Sequence, residues 1–79
     1  MIKILPNTLI GKTRYKARLY LYEAPALRGL VGDPYYQRRL ELREMVLDLV
    51  KHPIRDEGST IYFTNKQDAR LVETMLLLS

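Results

Sequence analysis

Along residues 13–22 apolar and polar side chains alternate, with Tyr15, Ala17, Leu19 and Leu21 on one side and Arg14, Lys16, Arg18, Tyr20 and Tyr22 on the other. A period of two is what a strand imposes, because successive side chains point to opposite faces of a sheet. The pattern predicts a half-buried strand whose outer face is cationic and aromatic. A shorter β-type run, Ile2-Lys3-Ile4-Leu5, precedes it and is expected to stop at Pro6-Asn7-Thr8. With Gly11-Lys12 as a turn signal between them, the two runs are expected to pair as an antiparallel hairpin.

Residues 23–33 contain Pro25, Gly29 and Gly32 and read as a connection with one helical turn near Leu27. Asp33-Pro34 has the form of a helix start, with Asp as N-cap and Pro at the first helical position, where its missing N–H is not needed. The helix is expected to run from Pro34 to Lys51 and to end at His52-Pro53, since proline pushes the residue before it out of the α region. At about 100° per residue, Gln37, Glu41, Glu44, Asp48 and Lys51 form one narrow polar strip. The rest of the circumference holds Tyr36, Leu40, Leu42, Met45, Val46, Leu47, Leu49 and Val50. That apolar arc is wider than one contact with a sheet needs, so a second helix or another subunit is expected against it.

Arg55-Asp56-Glu57-Gly58 reads as a polar turn, and Thr60–Thr64 as a third strand with Ile61 and Phe63 inward and Tyr62 outward. Thr64 or Asn65 then caps a last helix, with Asp68 in its first turn, where a carboxylate favours the positive end of the helix dipole. Its buried stripe is Ala69, Val72, Met75 and Leu76, while Leu71, Leu77 and Leu78 fall outside it.

The elements follow one another as ββαβα with no break in composition. The chain thus predicts a single α+β domain over residues 1–79, two-layered, with a three-stranded sheet and two helices packed on one face. The buried sheet face would be Ile2, Ile4, Tyr15, Ala17, Leu19, Leu21, Ile61 and Phe63. The open face would carry Lys3, Arg14, Lys16, Arg18, Tyr20, Tyr22, Thr60, Tyr62 and Thr64. A right-handed crossover through the long helix would set the third strand parallel to the second.

Composition narrows the functions open to such a domain. At 79 residues and 47% hydrophobic it is a small globular unit. Such a domain buries only about two thirds of the surface its unfolded chain exposes, so it is marginal alone and often leans on a partner or a second copy. The absence of Cys excludes disulfides and thiolate metal sites, and one His cannot supply the ligand set of a catalytic zinc. No run approaches the roughly 18 apolar residues of a membrane span, and the N-terminal run is too short and polar for a signal sequence, so a cytoplasmic location is expected. The net charge is +4, but residues 1–22 alone hold Lys3, Lys12, Arg14, Lys16 and Arg18 with no acid. A local field of one sign attracts polyanions and acidic surfaces even where the remainder of a protein is near neutral.

The candidate binding residues are therefore Lys3, Arg14, Lys16, Arg18, Tyr20, Tyr22 and Tyr62 on the open sheet face. A secondary patch, Tyr35, Arg38 and Arg39, lies at the start of the long helix. Tyr and Arg are enriched at the cores of protein interfaces, which suits a protein partner or a homodimer. The same residue types bind single-stranded nucleic acid, with cations on phosphates and bases stacked on rings. No Lys/Arg-Gly-Phe-Gly-Phe stretch of the sheet-type RNA-binding modules is present.

His52 is explained by its place at a helix C-terminus four residues after Asp48, without catalysis. Glu41, Glu44 and Asp48 share a helix strip but lack a Glu-x-x-His pair that would point to a metal. Gly29-Leu30-Val31-Gly32 has a Gly-x-x-Gly spacing whose apolar centre reads as connector, and no phosphate-binding Gly-rich loop occurs. No catalytic, cofactor or metal residue is assigned, and no small-molecule substrate is expected. The expectation is a non-catalytic binding or regulatory protein that acts by protein contact and self-associates, as a cellular or viral accessory modulator would. A single-stranded nucleic-acid module is the alternative.

Overall fold

The computed structural model describes residues 1–79, with every side chain except that of Asn7. Its elements are β1 (Ile2–Ile10), β2 (Thr13–Tyr20), α1 (Gly32–Leu49), β3 (Ile54–Glu57), β4 (Thr60–Phe63) and α2 (Lys66–Leu78), with two 3-10 turns, Leu21–Glu23 and Pro25–Leu27, between β2 and α1. The fold is a small α+β fold, but the sheet has four strands rather than three, all antiparallel, in the order β1-β2-β4-β3.

The added strand is β3, made of residues whose polarity reads as a turn. It lies at the sheet edge, where charged side chains discourage pairing with stray strands. Its polarity is that of an edge, and the true turn is only Gly58-Ser59, with Gly58 at φ 75°, a conformation glycine adopts without strain. β4 returns antiparallel to β2. The expected parallel neighbour of β2 is thus absent: β3, which follows α1, does run in the direction of β2, but β4 lies between them.

Pro6 does not end β1 as expected. The register moves from Ile4↔Ala17 to Thr8↔Tyr15, so residues 5–7 face Lys16 alone. A proline that cannot donate to the ladder is tolerated at such an irregularity on an edge strand. Beyond it β1 and β2 continue as a two-stranded arm, because β4 pairs with β2 only from Ala17 to Tyr20. β2 also ends two residues earlier than its alternation suggests, with Tyr22 in the 3-10 turn that follows.

The inner face of the sheet is built from two cross-strand rows, Ile4-Ala17-Phe63-Ile54 and Ile2-Leu19-Ile61-Asp56. Leu42 and Val46 of α1 and Ala69, Val72 and Leu76 of α2 close over it, joined by Leu21 and Leu27. Three residues expected to be buried are not in this core, one of them Met75 of α2. Ile4 is 39% exposed at the sheet edge just before the irregularity, and Tyr15 lies outside the apolar cluster.

The helix ends also differ from expectation. Asp33 sits in the first turn of α1 instead of capping it. At the other end Val50 is already extended, at φ −76° and ψ 141°, before Pro53 is reached. Asn65 does cap α2, its side chain accepting from the Asp68 N–H at 3.0 Å. The buried Asp68 carboxylate accepts from the backbone N–H groups of Lys51 (3.1 Å) and His52 (3.0 Å) and lies 3.1 Å from His52 Nδ1. The partner of His52 is therefore Asp68 and not Asp48. No helix among the described residues is long and apolar enough to cross a membrane.

Candidate binding surface

Strand pairing sets the open face of the sheet. Lys3 is opposite Arg18, Arg18 opposite Tyr62, and Tyr62 opposite Arg55, so these four residues form one row across all four strands. Tyr20, Thr60 and Glu57 form the neighbouring row. Directly opposed side chains on one face of an antiparallel sheet stand about 5 Å apart at Cβ, close enough for ring and guanidinium contacts.

Those contacts make a continuous platform. The Arg18 guanidinium lies 4.5 Å from the centroid of the Tyr20 ring, and Tyr20 stacks on Tyr22 with centroids 5.4 Å apart and planes at 27°. Tyr62 meets Tyr15 at 5.8 Å with planes at 57°. Tyr15, expected inward, thus packs on the open-face Tyr62 and is only 7% exposed. The register irregularity beside it is the kind of feature that re-aims a side chain.

Arg55 completes the platform by bonding Glu57. The hydrogen bond and charge of Glu57, with smaller help from the Tyr15 hydroxyl, hold the Arg55 guanidinium above its ordinary pKa despite some opposing desolvation. Arg18 Nε is buried without a hydrogen-bond partner among the described residues. Lys3, Arg18 and Arg55 thus stand on this face against one acid, Glu57.

The seven residues expected to form one surface fall into two adjoining groups. Lys3, Arg18, Tyr20, Tyr22 and Tyr62 belong to the platform. Arg14 and Lys16 instead line a depression of about 680 Å³, together with Ile4, Leu5, Pro6 and the Asn65-Lys66-Gln67 start of α2. Tyr15 borders both groups.

The secondary patch is not brought together. Tyr35 packs against the core and meets Tyr36 edge-on at 5.6 Å. Arg38 pairs with Glu41 at 2.7 Å, and Arg39 turns toward Gly58 in the β3–β4 turn. Arg43, whose like charge faces Arg39 along the helix, is paired with Asp56.

Sequence reasoning missed Arg55, Tyr15 and Lys66. Arg55 was within reach only through Gly58-Ser59, a two-residue hairpin signal before the Thr60–Thr64 run that places Arg55 opposite Tyr62. Nothing in the alternation of β2 reveals the turn of Tyr15 toward Tyr62. No protein-family model, no curated protein and no solved structure matches this chain.

Proposed function

We propose that the chain is a non-catalytic binding protein that acts by protein contact, offering the Tyr and Arg platform of its open sheet face to an acidic partner surface. The observation that supports this reading is that the rings are already engaged with one another. Base stacking needs a free aromatic face, whereas Tyr15 is covered by Tyr62, and Tyr20 is occupied by Arg18 and Tyr22. Among the rings of the platform Tyr22, at 54% exposure, presents the most open surface. A surface of pre-ordered aromatic rings and guanidinium groups loses little conformational freedom on docking and has the residue types of interface hot spots. The excess of cations, Lys3, Arg18 and Arg55 against Glu57, favours carboxylates opposite. Self-association is part of the same reading, with exposed Leu47 on α1 and Leu71, Leu77 and Leu78 on α2 as apolar side chains that a second copy would cover.

The test is affinity capture from nuclease-treated cell extract with the wild-type chain and a folded Arg18→Glu/Tyr62→Ala variant as baits. A protein held by the first and lost by the second is the expected result. Equal retention by both baits would sink the platform as the contact surface.

One observation favours single-stranded nucleic acid as a second reading. Arg14, Lys16 and Lys66 line one depression at the N-terminus of α2, and cations beside a helix N-terminus suit a phosphate. Fluorescence anisotropy with labelled single-stranded RNA, single-stranded DNA and duplex DNA at two salt concentrations separates the readings. Tight single-strand binding that collapses with salt and with Lys16→Glu would put nucleic acid first.

A further inference from the structure

A second recess lies on the other side of the sheet, between α1 and the β3–β4 hairpin. It measures about 450 Å³ and is lined by Tyr36, Arg39, Leu40 and Arg43 from α1, and by Asp56 and Gly58 from the hairpin. Two of its properties suit a binding site. Tyr36 and Leu40 are 59% and 55% exposed although both are large and apolar. Arg39 has no ion-pair or hydrogen-bond partner among the described residues. Asp56 pairs with Arg43, which leaves Arg39 as the uncompensated charge of the recess.

The backbone at this recess is also unpaired. β3 is an edge strand whose only sheet neighbour is β4. The turn Gly58-Ser59 has two residues, which makes Glu57↔Thr60 the hydrogen-bonded pair. Alternation along an antiparallel ladder then directs the N–H and C=O of Asp56 and Ile54 away from β4, toward the open edge. An apolar helix flank, an unpaired guanidinium and a free strand edge therefore converge on one recess.

We infer that this recess takes up an extended acidic segment of a partner protein, added to β3 as a fifth strand. Strand addition draws affinity from main-chain hydrogen bonds and specificity from alternate side chains. The segment's carboxylate would meet Arg39, and an apolar side chain two residues along would lie on the same face against Tyr36 and Leu40. The charges on β3 discourage a purely apolar strand from pairing there, so the recess selects by charge as well as by shape. This site is on the opposite side of the sheet from the platform and does not depend on it.

The test selects peptides from a displayed random library of about nine residues, enough to span β3 at roughly 3.3 Å per residue, against the wild-type chain. A synthetic copy of the winner is then titrated. The expected consensus is Asp or Glu followed two residues later by an apolar residue. Arg39→Glu, and separately Leu40→Asp, should each weaken that peptide by about tenfold or more, with Arg39→Lys keeping most of the affinity. N-methylation of the peptide at alternate positions should abolish binding, and the Arg18→Glu/Tyr62→Ala variant should bind within about twofold of wild type. Circular dichroism of each variant confirms that it is folded. Absence of a consensus, a basic consensus, indifference to Arg39→Glu or to N-methylation, or loss in the platform variant would each overturn the inference.

Discussion

Asp68 carries more of the architecture than any other single polar residue. Its carboxylate accepts the Lys51 and His52 N–H groups and faces His52 Nδ1, while its own N–H is capped by Asn65. One buried carboxylate thus holds the chain leaving α1 against the first turn of α2. Asp68→Ala would leave two backbone donors unmet and should cost about 2–4 kcal/mol, against about 1 kcal/mol for Asp68→Asn, as urea denaturation would read. The sequence places Asp68 in a first helical turn but does not reveal its contact with residues 51 and 52, because helix-dipole arguments are local and this contact is tertiary. Tyr15 shows the converse: the alternation of β2 is clear, yet the ring packs on Tyr62 beside an irregularity whose extra residues lie in the other strand.

At the scale of elements, periodicity and the cap of α2 were legible, while the ends of α1 and the sheet edge were not. The β1–β2 hairpin, α1 to within two residues at each end, a cap at Thr64 or Asn65 and, Met75 apart, the buried stripe of α2 could all be read, since each depends on neighbours in the chain. β3 could not be read from hydrophobicity, because an edge strand stays polar to avoid pairing with other chains. Its turn is the element's most sensitive point. Gly58→Ala places a side chain at φ 75° and should destabilise the domain by about 1 kcal/mol or more, seen as a lower urea midpoint with an unchanged slope. Open space within 4 Å is not what limits this substitution, since the nearest atom to an added Cβ is Arg39 Nη2 at an ordinary 3.6 Å. The site was partly legible for the same reason as the fold: Arg18, Tyr20 and Tyr62 lie on elements that alternation fixes, whereas Arg55 depends on the unread strand.

For the whole molecule, the sheet divides into a four-stranded body covered by helices and an uncovered arm beyond the Pro6 irregularity. Amide exchange should follow that division. The amides of β2 from Ala17 to Tyr20 and of β4 should be slowest, near the global unfolding limit, and those of Thr8–Arg14 fastest among paired residues. Comparable protection in the arm would mean that it is held by contacts other than the ladder. The placement of β4 also has a kinetic consequence. Both hairpins close over short loops, but joining β2 to β4 must first close roughly forty residues between Tyr20 and Thr60. The sheet is two quickly made halves welded along a single seam of four residue pairs, so the seam sets the rate. Ile61→Val should slow refolding in stopped-flow measurements, while Thr8→Ala in the arm should leave the refolding rate unchanged.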